Sequence, residues 1–168
     1  MRGGYAASVP EIVRGVASQI DDLHPLWLVL REYHGSITPQ WGALRPAEES
    51  WARRRKTYAD ILAEGGSLFL AVEDAAVVGF ALCEREEGES PTWEWPRDFL
   101  SIVDLVVLPK YRRRGVGEAL LRAVEHEARA REVAAVDINA AAPNEVARRF
   151  YERHGYRVDL VTYRKPLD

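Results

Sequence analysis

Residues 101–129, SIVDLVVLPKYRRRGVGEALLRAVEHEAR, constrain the fold more than any other stretch of the chain. SIVDLVVL is an apolar, β-branched run bounded by Pro109, which predicts a buried strand over residues 100–108. Further on, Val116, Leu120, Leu121, Val124 and Ala128 fall on one side of a helix predicted over residues 115–131. AAVDINA, residues 134–140, predicts a second short buried strand. Strand, helix and strand in that order make a crossover unit. Such a unit sets its two strands parallel and opens the turn after the first strand at their carboxyl ends. In that turn stand Lys110, Arg112, Arg113 and Arg114, followed by Gly115 and Gly117.

The rest of the chain supplies partners for this unit. PEIVRGV predicts a first strand, and Ile20, Leu23, Leu26, Trp27 and Leu30 give helical spacing over residues 18–34, with Pro25 either starting or kinking that helix. HGSITPQWGALRP reads as a loop. AEESWARRRKTYADILAEG predicts a second helix that Gly65 stops. SLFLAVE and AAVVGFALCE predict a hairpin about Asp74–Ala75, and EREEGESPTWEWPRD an acidic surface loop. PNEVARRFYERHG predicts a short helix, and YRVDLVTYRKPL one or two closing strands.

Bulk composition narrows the function classes. With 47% apolar and 29% charged residues, the 168-residue chain reads as one globular domain, residues 1–168, with a real core. A net charge of −3 argues against general nucleic-acid binding. No apolar run is long enough for a signal-peptide core or a membrane span, so a cytoplasmic protein with no membrane partner is expected. Cys83 is the single cysteine, and His24, His126 and His154 lack partners at ligand spacing, so no metal is expected.

The amino end of a helix leaves backbone N–H groups without internal partners and carries partial positive charge. An anion fits there. Donors from Arg112 to Gly117, with two glycines that permit close approach and arginines at the rim, suit a diphosphate. A solvated basic loop is the plainer reading of the same residues. A dinucleotide fingerprint matches only in part, since Leu120 stands where its third glycine belongs although Asp137 follows at a tolerable distance. A nucleoside-triphosphate loop fails because no Gly-Lys-Ser/Thr follows.

LVVLPKYRRRGVGEAL resembles the acyl-coenzyme A binding motif of the GCN5-related N-acetyltransferase (GNAT) family, Arg/Gln-x-x-Gly-x-Gly/Ala, with Arg112, Gly115 and Gly117 on its fixed positions. PNEVARRFYERHGY is similar to that family's later motif through Asn144, Ala147, Tyr151, Gly155 and Tyr156. The element order agrees from about residue 9 to 167. The resemblance implies an α/β acyl-CoA N-acyltransferase fold: a mixed central sheet of six or seven strands, four flanking helices, and splayed parallel strands at a cofactor cleft. It implies acetyl-CoA as donor and a direct transfer to a primary amine of a small molecule or peptide. A cofactor-binding module without transfer is the alternative.

Under that resemblance, backbone groups of Leu105, Val106, Val107 and Leu108 would hold the pantetheine and address the thioester oxygen. Arg112, Arg113, Arg114, Gly115, Val116 and Gly117 would hold the diphosphate. The side chains of the strand read as core whichever function holds. Tyr151 is the candidate acid for the departing thiolate, against the plainer role of packing its ring on the sheet. Asn144 can bind the cofactor or cap its helix, Ala147 belongs to the same motif, and Asn139 is a lesser candidate of the same kind. For the base, Asp104 ranks first, because a carboxylate in so apolar a strand needs a cleft or partners. Glu84 ranks second, with Glu32 and His34 as outside possibilities. Trp41, Trp93 and Trp95 with Glu86, Glu87, Glu89 and Glu94 would favour a cationic amine, or else form a solvated acidic loop whose tryptophans pack over core or against a dimer partner. Cys83 reads as packed inside a strand. A homodimer is compatible with the sequence, though no isolated apolar surface stands out.

Overall fold

The computed structural model describes residues 9–88, 92, 94, 98–165 and 167. Its described strands β1 (Glu11–Arg14), β2 (Ser67–Glu73), β3 (Ala76–Glu87), β4 (Asp98–Val107) and β5 (Ala135–Ile138) form one sheet in chain order. The first three pairings are antiparallel and the last is parallel. The crossover between β4 and β5 runs through α3 (Val116–Ala130), as the apolar periodicity predicts. The other helices are α1 (His24–Ile37), α2 (Ala47–Ala63) and α4 (Glu145–Arg153).

Local chemistry sets the boundaries. Pro25 lies in the first turn of α1, so it starts that helix, and a 3-10 turn over Ala17–Leu23 leads into it. The helix runs to Ile37, past the predicted end, because Thr38 closes it with its N–H and its hydroxyl both donated to the His34 carbonyl. α2 ends at a left-handed Gly65 (φ 89°), where Gly66 N–H returns to the Ile61 carbonyl. β2 and β3 meet at Asp74 and Ala75, both with positive φ (51° and 61°), the two-residue turn whose twist matches a hairpin.

The sheet carries a core on each face. On one, Leu120, Leu121 and Val124 of α3 pack on Ala71, Ala81, Leu100 and Ile102. On the other, Leu26 of α1 and Tyr58 and Ile61 of α2 pack on Leu68, Leu70, Phe80 and Leu82. Each fully buried Leu or Phe contributes about 1.5–3 kcal/mol. Gly79 brings α3 close to the sheet: a Cβ there would sit 2.9 Å from the Val106 carbonyl and 3.3 Å from Leu120. Among the described residues no helix is long and apolar enough to cross a membrane.

One strand feature positions the site. Leu82 pairs with Asp104 but Cys83 pairs with Ile102, so Val103 is an extra residue in β4. This β-bulge turns the following side chains over. Leu100 and Ile102 face α3, whereas Asp104 joins the α1–α2 face, where it meets Tyr58. Beside the bulge the parallel ladder stops: β5 pairs with Phe99–Ile102 only, and from Val103 to Val107 β4 keeps β3 as its one strand partner among the described residues. The two strands are thus splayed at their carboxyl ends.

The sheet differs from the predicted six or seven strands at the last segment. Of the closing strands expected in residues 156–167, none is present among the described residues: residues 156–165 carry no strand, and Val158, Leu160 and Tyr163 are 64%, 83% and 93% exposed. Alternating apolar residues say what a partner would bury. They do not supply the partner, and among the described residues the outer edge of β5 has no strand beside it.

Candidate active site

The turn between β4 and α3 is built from backbone. A 3-10 turn over Pro109–Tyr111 follows β4, Arg113 takes a left-handed conformation (φ 59°), and Gly115 (φ 81°) is the residue before α3. No side chain caps this helix. The hydrogen bonds on either side are closed, Arg112 N–H to the Pro109 carbonyl and Ala119 N–H to the Gly115 carbonyl. Between them, among the described residues, the N–H groups of Arg113, Gly115, Val116, Gly117 and Glu118 take no protein acceptor.

The arginines of this turn have separate positions. Arg112 reaches back, its Nε–H donating to the Val107 carbonyl at 3.0 Å. Arg113 is exposed. Arg114 is half-buried, pairs with Glu73 at 2.5 Å and lies over the Tyr111 ring. Gly117 serves packing as well as access, since a Cβ there would meet the Phe150 ring of α4 at 3.4 Å.

The splay between β4 and β5 is walled by the ends of α1 and α4. Asn144 caps α4: its Oδ1 accepts from Ala147 N–H and from the Tyr33 hydroxyl of α1, each at 3.1 Å. Capping is therefore one role Asn144 holds, and its buried position ties the two walls together. Ala147 is half-buried with its N–H spent on the cap, and Asn139 is exposed just past β5. On the β4 wall, Leu105 and Val107 pack toward α3 and Val106 toward α1 and α2, while Leu108 touches both cores. Leu108 N–H bonds to the Val78 carbonyl at 3.0 Å.

Asp104 is 8% exposed. The Tyr58 hydroxyl donates to its Oδ2 at 2.5 Å, and Arg54 stands 3.6 Å from the same oxygen. Its Oδ1 has no partner among the described residues. Burial raises the Asp104 carboxyl above its ordinary value, opposed by Arg54, the Tyr58 hydrogen bond and His34. His34, half-buried on α1, is lowered by burial, with Asp104 pulling the other way. Tyr151 of α4 is raised by burial and then by the Asp104 charge, so the phenol and the carboxylate share one field across the splay. The Tyr151 hydroxyl has no hydrogen-bond partner among the described residues.

The remaining candidates lie apart. Glu84 is half-buried on β3 opposite Ser101, two residues along from Leu82, and is raised by burial and by Glu86 and Glu64. Glu32 is exposed. Trp41 is 60% exposed. Glu86, Glu87 and Glu94 are exposed, while Trp93, Trp95 and Glu89 lie outside the described residues. Cys83 is buried, its thiol pushed up to about 11 by that burial and therefore protonated near neutral pH. Sequence reasoning missed Arg54, Tyr58 and Tyr33. The first two stand at i and i+4 of α2, a spacing that puts a cation and a phenol on one helix face, and a polar tip in an otherwise apolar stripe was their signal.

A mixed sheet with a splayed parallel pair and an uncapped glycine turn at the helix that follows is the acyl-CoA N-acyltransferase fold. The chain belongs to the acetyltransferase (GNAT) family, whose model matches residues 27–156. No curated protein matches it. Similar solved structures include the tetramutant of BH1408 protein from Bacillus halodurans, with TM-score 0.80 and 21% identity over 94% of this chain and 99% of that one. AAC(6')-Iy in complex with the bisubstrate analog CoA-S-monomethyl-acetylneamine superposes with TM-score 0.67 at 17% identity, over 95% of this chain and 100% of that one. An aminoglycoside acetyltransferase from an uncultured soil metagenomic sample superposes with TM-score 0.65 at 19% identity, over 96% and 100%.

Proposed function

We propose that this GNAT-family chain moves an acetyl group from acetyl-CoA directly to a primary amine of a small molecule or peptide, in a ternary complex. The observation that carries the reading is the convergence of unpaired backbone N–H groups before α3, the Asp104 carboxylate and the Tyr151 phenol on one splay between two parallel strands. The donor suits the turn on this chain's own features: five N–H groups without acceptors and a left-handed glycine that lets a diphosphate approach. When bound, acetyl-CoA supplies an activated thioester carbonyl.

The protein's residues supply position and proton transfer. The N–H groups of Arg113 and of Gly115 to Glu118 bind the diphosphate, with Arg113 at the rim. The stretch of β4 beyond its pairing with β5 holds the pantetheine arm on that side and presents a backbone N–H to the thioester oxygen, where negative charge grows during transfer. Asp104 takes the amine proton on Oδ1, the oxygen that Tyr58 and Arg54 leave free. Its raised carboxyl makes it a stronger base than an ordinary aspartate. Tyr151 keeps its proton at neutral pH and donates it to the departing thiolate. Glu84, on β3 two residues along from the Leu82 that pairs with Asp104, steers a cationic acceptor toward the splay or serves as a second base. The structures of the aminoglycoside acetyltransferases support an amine-bearing small molecule as acceptor class.

The second reading, a CoA-binding module without transfer, is favoured by one observation: Asp104 already accepts from Tyr58 and pairs with Arg54, as a structural anchor would. An acceptor screen with acetyl-CoA, read as thiol release, separates the two. Transfer to at least one amine that falls at least tenfold in Tyr151→Phe, with CoA affinity unchanged, supports the enzyme. CoA binding with no thiol release for any amine supports the module.

A further inference from the structure

Helix α2 carries Arg53, Arg54, Arg55 and Lys56 in a row. Three of these cations are taken up by neighbouring carboxylates. Arg53 Nε–H donates to Glu49 at 3.2 Å, Arg55 donates to both Asp21 oxygens at 2.7 and 3.0 Å, and Lys56 donates to Asp60 at 2.6 Å. All three are exposed. Arg54 differs. It is half-buried, its guanidinium carbon stands 5.9 Å from the centre of the Tyr58 ring, and its Nη1 stands 3.6 Å from Asp104 Oδ2. Among the described residues it forms no hydrogen bond, so its Nε–H and Nη2 hydrogens have no protein acceptor. Its side chain remains 40% exposed.

That placement does not suit an anchor for Asp104. A guanidinium holds a carboxylate best through two parallel N–H bonds. Here one nitrogen stands at ion-pair distance, and the Tyr58 hydroxyl makes the hydrogen bond to the same oxygen. The fork is therefore open beside the candidate base. We propose that Arg54 holds a carboxylate of the acceptor, so that the substrate is an amino acid or another amine with a carboxylate a few bonds from its nitrogen.

The inference rests on the acetyl-transfer reading, which puts the acceptor nitrogen on Asp104 Oδ1. Charge supports it. The ammonium end of such a molecule faces Asp104 and its carboxylate end faces Arg54, so each charge meets its opposite across one ion pair of the protein. His34 beside them is lowered by burial and therefore neutral near pH 7, which leaves Arg54 as the cation of this group. An acceptor with several ammonium groups and no carboxylate would set positive charge against Arg54, a repulsive element that selects against it.

Amine pairs test the proposal. Each standard amino acid is compared with its methyl ester and its decarboxylated amine, by thiol release with acetyl-CoA and by calorimetric binding to the protein with coenzyme A. At least one amino acid should exceed both of its partners in kcat/KM by about tenfold or more, mainly through KM. Arg54→Gln should bring that ratio close to one. Arg54→Lys, which keeps the charge and loses the fork, should leave it in between. Loss of the Arg54 charge also acts on Asp104, but that effect slows both members of a pair alike and cancels in the ratio. A wild-type ratio near one for every pair overturns the proposal, and so does a ratio that survives in Arg54→Gln. Carboxylate-dependent binding without thiol release keeps the Arg54 role and overturns the transfer reading. Transfer to amines with no carboxylate preference does the reverse. Neither binding nor release for any amino acid overturns the Arg54 role.

Discussion

The two walls of the splay are built differently. The β4 wall stands on a saturated core: Leu82, Leu100, Leu120 and Phe80 are each 0% exposed. The β5–α4 wall, which carries Asn144 and Tyr151, is held by the short β4–β5 ladder, by Asn144 with its bonds to Ala147 and Tyr33, and by half-buried side chains such as Ile138, Phe150 and Tyr156, with no fully buried apolar residue of its own. The rigid wall carries the candidate base, whose geometry a bulge sets, and the lightly held wall carries the candidate acid. A site divided this way can admit a long carrier by moving one wall while the other stays fixed.

If that contrast is right, substitutions on the two walls differ in scale. Phe80→Ala should destabilise the protein by about 3–5 kcal/mol, read as a large fall in denaturant midpoint with unchanged slope. Tyr58→Phe removes the hydroxyl from a buried carboxylate and should lower stability by about 1–3 kcal/mol. The Tyr58 hydrogen bond lowers the Asp104 carboxyl, so its loss raises that group further. A base must be deprotonated, and the acid limb of the rate profile should therefore move to higher pH.

Glu127 gives a smaller effect at the far end of the fixed wall. It accepts from Arg14 at 2.8 Å, Arg131 at 2.7 Å and Ser67 at 3.1 Å. These partners hold its carboxyl down at about 2, against opposing desolvation. A depressed carboxyl contributes stability that is full above its unfolded value of about 4.3 and fades as pH falls toward the folded one. Glu127→Gln should remove about 1–2 kcal/mol at neutral pH, allowing for solvent screening. It should also flatten the stability curve between about pH 4.3 and 2, measured by urea melts across that range. On the lightly held wall, Asn144→Ala should lower stability by about 1 kcal/mol through the lost cap, and Val146→Ala, 75% exposed, by less than about 0.5 kcal/mol. An Asn144 effect as large as that of Phe80 would erase the contrast.

The crossover unit was legible because its signals are local. An apolar run, a proline, two glycines and a 3.6-residue period need no distant partner to be read. The position of Asp104 was half legible: an aspartate among Val and Leu announces a special environment. The bulge at Val103 that turns it toward Tyr58 depends on register against β3, which composition does not encode. Tyr58 and Arg54 look like an ordinary helix face until Asp104 is placed beside them. Residues 156–167 read as strands because their alternation is real. What alternation leaves open is which edge, on which molecule, it is meant for.

The account rests most on the bend before α3, and backbone amide resonances test it directly. On adding coenzyme A, the N–H signals of Gly115, Val116, Gly117 and Glu118 should shift and gain protection from exchange, ahead of any change in the core strands β2 and β3. Coenzyme A that binds while leaving those four amides unchanged, or that fails to bind at millimolar concentration, would contradict it.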